Sequence, residues 1–191
     1  NSGSNAGFGI RLSTDTAAQK LFIAEAFEGA PAFAQGIDRG TEILAIGTTN
    51  ANLRTVADIL STQGQAGIDE AIGPPDPGVT RVFRIRNGAT ESVVSVTKAN
   101  YTLAPVSNRY GSRIIDDGGR KVGYVNLRTF ISTADPALRT AFANFRAQGI
   151  TEVIVDFRYN GGGMVSIAEL MNNLLGGQRS QVLSLKQMLA A

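Results

Sequence analysis

A chain of 191 residues with 43% hydrophobic residues, 18% charged residues and 22 glycines has enough apolar material for one large or two small globular domains, which excludes a disordered segment. It has no cysteine and no histidine, so thiol nucleophiles, histidine-based triads, zinc fingers and imidazole metal ligands are ruled out within these residues. Eighteen Lys and Arg against sixteen Asp and Glu leave a charge of only +2, which makes nucleic acid an unexpected partner.

The charge divides unevenly, with eight basic and ten acidic side chains up to Ala104 and ten basic and six acidic after it. Two units are expected, 1–104 and 105–191. No apolar run approaches the roughly 18 residues that cross a bilayer, and Asn1-Ser2-Gly3-Ser4-Asn5 lacks the basic and hydrophobic regions of a signal peptide.

The first unit reads as short strands with one or two short helices. Gly7-Phe8-Gly9-Ile10 opens it, with Ile10 and Leu12 on one face of a strand and Arg11 and Ser13 on the other. Lys20 to Phe27 is a second strand. Pro31 to Gly36 is a helical turn, started by proline and stopped by glycine. Glu42 to Ile46 is a third strand, and Leu53, Val56, Ile59 and Leu60 recur at helical spacing. A Gly- and Pro-rich loop is expected from Gly64 to Gly78. Alternating strands around Val82–Ile85 and Val93–Val96 follow, joined through the hairpin signal Asn87-Gly88.

After Pro105 a hairpin is expected to turn at Asp116-Asp117-Gly118-Gly119 and lead into the strand Lys121 to Leu127. Thr133 or Asp135 can cap a helix with Pro136 in its first turn, the stripe Leu138, Ala141, Phe142 and Phe145, and a stop at Gly149. Val153 to Phe157 is short and continuously apolar, which predicts a buried strand. Gly161-Gly162-Gly163 then open a helix carrying Val165, Ala168, Leu170, Met171, Leu174 and Leu175. The sequence of strand, helix, strand, glycine loop and helix is a βαβα unit with parallel strands. The fold class expected for the whole chain is α+β, a mostly-β first unit followed by a partial α/β segment.

Several motifs fail on inspection. The glycine loop has no Lys for a Walker-type phosphate loop and no final Gly for a dinucleotide fingerprint. Ser95-Val96-Thr97-Lys98 spells Ser-x-x-Lys, yet it lies in a strand that points Ser95 and Lys98 to opposite sides. Ser166, just inside the helix after the glycines, has no nearby base in sequence. Two generic signals remain. Successive amides at the glycine loop can stabilise an anion or a developing oxyanion, unless the loop is only a tight strand-to-helix turn. Phe8-Gly9-Ile10 can offer amides to a peptide carboxylate beside a strand edge, with Leu53 to Leu60 as the opposite wall, unless Phe8 and Ile10 are simply core.

Gly7-Phe8-Gly9-Ile10, Gly29-Ala30-Pro31-Ala32, Gln35-Gly36-Ile37-Asp38-Arg39-Gly40 and Ile43-Leu44-Ala45-Ile46 resemble the PDZ domain of C-terminal processing proteases, the tail-specific and tricorn-like serine peptidases. Val122 to Leu127 and Asp156-Phe157-Arg158-Tyr159-Asn160-Gly161-Gly162-Gly163 are similar to the opening strand and the Asp-Leu-Arg-x-Asn-x-Gly-Gly signature of their protease domain. One departure is Gly40-Thr41-Glu42, where the family usually has Gly-Asp, so a turn contact made by Asp is expected to be weaker or supplied differently.

The resemblance implies a PDZ domain in 1–104 and the N-terminal part of a serine protease catalytic domain in 105–191. It implies peptide-binding roles for Phe8, Gly9, Ile10, Val56 and Leu60, and an oxyanion amide at Gly162 or Gly163. The nucleophilic Ser and the Lys base of the family would lie beyond Ala191, so this piece by itself is expected to be inactive. Protein or peptide C-termini are the implied partners, no metal or organic cofactor is implied, and the periplasm or envelope of a bacterium is the implied location. The alternative is a non-catalytic PDZ-containing scaffold with a degenerate protease fold. The apolar residues between Ser180 and Ala191 are expected to be poorly anchored.

Overall fold

The computed structural model describes residues 4–176, and the expectation for Ser180 to Ala191 lies outside them. The chain is α+β and divides into two compact units, one of residues 4–103 and one that begins at Ala104. Among the described residues no helix is long and apolar enough to cross a membrane.

The first unit is built on strands β1 (Ser4–Gly7), β2 (Ile10–Asp15), β3 (Lys20–Ala26), β4 (Glu42–Gly47), β5 (Arg54–Thr55), β6 (Thr80–Asn87), β7 (Thr90–Thr97) and β8 (Ala99–Thr102), with helices α1 (Pro31–Ala34) and α2 (Val56–Ile72). Its main sheet runs β2-β3-β4-β6-β7, with β5 paired to β4, so β2 lies at an edge. Alternation in β3 buries Leu21 and Ile23, and an irregularity in β4 between Ile43 and Ala45 lets Ile43 and Ile46 join the same core with Phe83 and Ile85. Phe8 meets Phe83 edge to face at 5.3 Å. The β6–β7 hairpin pairs Asn87 with Thr90 across a two-residue turn containing Gly88 at φ 59°. At the family departure, Thr41 is buried, and its hydroxyl accepts the Asp38 N–H at 3.1 Å and bonds Asn87.

Two expectations are corrected. The loop expected from Gly64 is helical as far as Ile72, and only Gly73 to Gly78 leaves the helix. Gly64 adopts φ 62° and ψ −151°, so it kinks α2 rather than ending it. The apolar residues Ile68, Ala71 and Ile72 continue at helical spacing beyond that glycine and supply the burial that pays for the kink. A small antiparallel pair, β1 with β8, was also not expected, because Ser4-Asn5-Ala6-Gly7 has no alternating pattern.

The second unit has β9 (Ser112–Asp117), β10 (Arg120–Asn126) and β11 (Val153–Asp156), with α3 (Ala134–Ala147) and α4 (Val165–Gly176). The sheet order is β11-β10-β9, with β10 antiparallel to β9 and parallel to β11. Leu138, Ala141, Phe142 and Phe145 of α3 are all buried, as their spacing predicts, with Val125, Leu127, Ile167, Leu170 and Met171. The cap differs. Thr133 precedes α3 but makes no side-chain cap bond, and Asp135 pairs with Arg139 at 2.7 Å one turn on. The strand after α3 differs too: Val153 and Val155 pack on the core, whereas Ile154 is 51% exposed on the opposite face. Burial on both faces is therefore not met among the described residues.

Candidate functional site

The first candidate site begins with the direction of backbone groups. The Phe8 carbonyl accepts the Ala32 N–H at 3.0 Å, and the Gly9 carbonyl accepts the Phe27 N–H at 2.9 Å. In a planar trans peptide the next residue's N–H points the opposite way. The amides of Gly9 and Ile10 therefore face away from α1 and β3, toward the unpaired edge of β2. Gly9 has φ +76°, and a Cβ there would lie 2.0 Å from the Ala30 Cβ, so only glycine lets the loop pack this closely.

Beside this edge is a cavity of about 210 Å³, walled on one side by Gly7, Phe8, Ile10 and Leu12 and on the other by Ile72, Gly73 and Pro75, with Lys98 between them. The far wall starts at Ile72, the last residue of α2, and Thr14 on β2 bonds Gln65 on α2 at 2.8 Å further along. Val56 and Leu60 are the residues expected in the opposite wall. Val56 is buried in the core and Leu60 packs against it, and neither lines the cavity. Past the kink at Gly64, α2 meets β2 through the Gln65–Thr14 bond and reaches the cavity at Ile72. The signal available in the sequence was the stripe Ile68, Ala71 and Ile72.

Lys98 also escaped the sequence reading, which treated it only as half of a failed Ser-x-x-Lys motif. It is 3% exposed, its Nζ lies 4.7 Å from the Phe8 ring centre, and it donates to the Gly73 and Pro74 carbonyls at 2.7 and 2.6 Å. Burial pushes its ammonium below the usual lysine range, and the charge of Arg81 acts the same way. Ser95 is exposed on β7 and has no part in this site.

The second candidate site is the loop between β11 and α4. Asp156 ends β11 and anchors the loop: its carboxylate accepts the Arg158 N–H at 2.9 Å, the Arg158 guanidinium at 2.6–3.0 Å and the Tyr124 hydroxyl at 2.6 Å. The Arg158 bonds hold the Asp156 carboxyl well below the usual carboxylate range, and the Tyr124 bond adds to this against the cost of burial. Asn160 spans the next step, donating to the Leu127 carbonyl and accepting the Gly162 N–H, both at 2.7 Å.

These bonds separate the two oxyanion candidates. The Gly162 N–H is already given to Asn160, and the Gly162 carbonyl accepts the Phe130 N–H at 2.9 Å. Met164 donates to the Phe130 carbonyl at 2.6 Å, so Phe130 is bridged to the residues on either side of Gly163. The backbone groups of Gly163 itself then point away from Phe130. Gly163 is exposed, with φ +141°, and a Cβ on it would sit 2.2 Å from the Phe130 carbonyl oxygen. Its N–H has no hydrogen-bond partner among the described residues. Ser166 is exposed in the first turn of α4.

Residues 121–187 match peptidase family S41, over β10, α3, β11 and α4. A chloroplastic C-terminal processing peptidase of Tetradesmus obliquus is 26% identical over 180 residues, which covers 88% of this chain and 37% of that protein. A carboxyl-terminal-processing protease of Picosynechococcus is 27% identical over 168 residues, covering 86% of this chain and 37% of that one. Over 121–187 the chain is thus similar to peptidase family S41, and over most of its length it is similar to C-terminal processing peptidases. Among solved structures, an S41 protease of Bacteroides fragilis matches with a TM-score of 0.58 at 25% identity, over 87% of this chain and 43% of that one. The photosystem II D1 C-terminal processing protease matches in fold, with a TM-score of 0.54 at 20% identity over 89% of this chain and 44% of that chain. The chain spans 37% of the length of the curated relatives named here.

Proposed function

We propose that the chain is the peptide-capture unit and the leading part of the peptidase unit of a serine endopeptidase that recognises protein C-termini. The single observation that carries the first half is the edge of β2, where the outward amides of Gly9 and Ile10 border an apolar cavity. An extended peptide adds to that edge as a further strand, as in a PDZ domain. Its terminal carboxylate accepts the loop amides, and its last side chain enters the cavity between Phe8 and Ile72.

In the peptidase unit, the free amide of Gly163 stabilises the oxyanion that forms when the scissile carbonyl is attacked. Gly162 acts indirectly, through its bond to Asn160, by fixing the direction in which the Gly163 amide points. Attack by a Ser hydroxyl, with a Lys removing its proton, follows the family resemblance, and no pair in these 191 residues is assigned those roles. The 191-residue chain alone therefore hydrolyses no peptide. By the same resemblance the full enzyme works outside the bacterial cytoplasm.

The test is a titration of the chain with an extended peptide ending in a free apolar residue and with the same peptide amidated. The acid peptide binds more tightly, by about tenfold or more, because amidation removes a charge-assisted hydrogen bond. Equal affinity for the two would sink carboxylate capture.

A further inference from the structure

Burying an ammonium among apolar side chains costs free energy, and a methionine would fill similar space without that cost. Among the described residues Lys98 has no carboxylate within salt-bridge distance, and the charge of Asp76 in the same loop acts on it from further away. Its partners are instead the carbonyls just past the C-terminal end of α2, where the helix leaves unpaired acceptors and partial negative charge. Arg81 completes the same cap by donating to the Ala71 carbonyl at 2.6 Å.

Lys98 also holds the other end of the same loop. Its backbone N–H donates to the Val79 carbonyl at 2.9 Å and its carbonyl accepts the Gly78 N–H at 2.8 Å. One residue thus grips Gly73 and Pro74 with its side chain and Gly78 and Val79 with its backbone. The same ammonium lies over the Phe8 ring, on the opposite lip of the cavity. We propose that Lys98 is a positioning residue of the groove, pinning the Gly73–Gly78 lip against the Phe8 loop and so setting the opening into which a peptide end fits. For its ligand the inference rests on the peptide-capture reading above. The geometric part does not.

The experiment compares the wild-type chain with Lys98→Met, which keeps the bulk and loses the donors, and Lys98→Gln, which keeps a neutral donor. Amide hydrogen exchange is measured without ligand, and the acid and amidated peptides are titrated separately. Exchange at the amides of Gly73, Gly78 and Val79 accelerates in Lys98→Met and less in Lys98→Gln. Both peptides lose affinity by the same factor, about tenfold for Lys98→Met, the size of one charge-assisted hydrogen bond. Loss confined to the acid peptide would overturn the proposal by making Lys98 a direct partner of the carboxylate. Unchanged exchange in both variants would overturn it as well. If Lys98→Met does not fold, Lys98→Gln carries both measurements. A wild-type chain that binds neither peptide refutes peptide capture alone, and the exchange comparison still decides whether Lys98 pins the lip.

Discussion

The loop at Gly7–Ile10 and the loop at Gly161–Gly163 solve one problem in the same way and then part company. In each, flanking carbonyls are tied back by hydrogen bonds so that an amide faces outward, and one glycine presses so closely on a neighbour that no side chain fits: Gly9 on Ala30 and Gly163 on Phe130. Around the first loop, the outward amides border a cavity walled by the unit's own residues. Around the second they open to solvent beside exposed Tyr159, Met164 and Val165. A site that carries both its polar donors and its apolar wall can bind by itself. One with donors alone lacks that wall, and the oxyanion role proposed for it would need a nucleophile beside it.

The comparison breaks most easily at the two pressed glycines. Gly9→Ala places a methyl group 2.0 Å from the Ala30 Cβ at a φ of +76°, and should cost the first unit about 3 kcal/mol or more from the sum of left-handed strain and overpacking. Gly163→Ala meets the Phe130 carbonyl oxygen at 2.2 Å and should cost the second unit about 2–3 kcal/mol, since a short exposed loop can shift where a core loop cannot. Denaturant unfolding followed by exchange protection in each unit measures both. A smaller loss for Gly9→Ala than for Gly163→Ala would reverse the ranking of the two loops.

Gly162→Ala sharpens the contrast within one loop. Nothing lies within 4 Å of a Cβ there, although φ is +88°, so the expected cost is only about 1–2 kcal/mol of backbone strain. It should therefore be milder than Gly163→Ala in the same unfolding measurement, and equal losses would show that contact with Phe130 plays no part.

Much of this was legible because the patterns were local. The stripe Leu138, Ala141, Phe142 and Phe145 specifies one helical face, and Asn87-Gly88 and Gly118-Gly119 specify tight turns whatever surrounds them. The groove wall was not legible, because Gly64 is compatible with a loop or a kink and only the tertiary burial of Ile68 decides between them. The choice between Gly162 and Gly163 rests on where Asn160 sends its side chain, and no spacing rule encodes that. Lys98 was hidden for a related reason, since its partners are backbone carbonyls about 24 residues away in sequence.

Asp156 offers a test by pH. Its folded carboxyl titrates below the usual range, so its contribution is fully present above the unfolded carboxylate value near 3.8 and is lost as pH falls toward the folded one. The Arg158 side chain is 70% exposed, so solvent screening reduces what the pair contributes. The second unit should lose that contribution as pH falls below about 5, and Asp156→Asn should be less stable at neutral pH with a flatter acid limb. A variant whose acid limb matches that of the wild type would remove Asp156 as the anchor of the glycine loop.

The smallest expected effect bears most directly on the open surroundings of the second loop. Ile154 lies on β11 at the sheet edge and is 51% exposed, on the face opposite the core that Val153 and Val155 join. A side chain that gains little burial on folding loses little when it is made polar, and threonine keeps the branching that suits a strand. Ile154→Thr should therefore change unfolding free energy by less than about 0.5 kcal/mol, whereas Val125→Ala, at a fully buried position on the neighbouring strand, should cost about 2 kcal/mol. The same Ile154→Thr substitution removes an exposed apolar side chain, so it should lower self-association in sedimentation runs at high concentration. A loss with Ile154→Thr as large as that with Val125→Ala would mean that the face is covered in this chain, and the contrast between a walled loop and an open one would then fail.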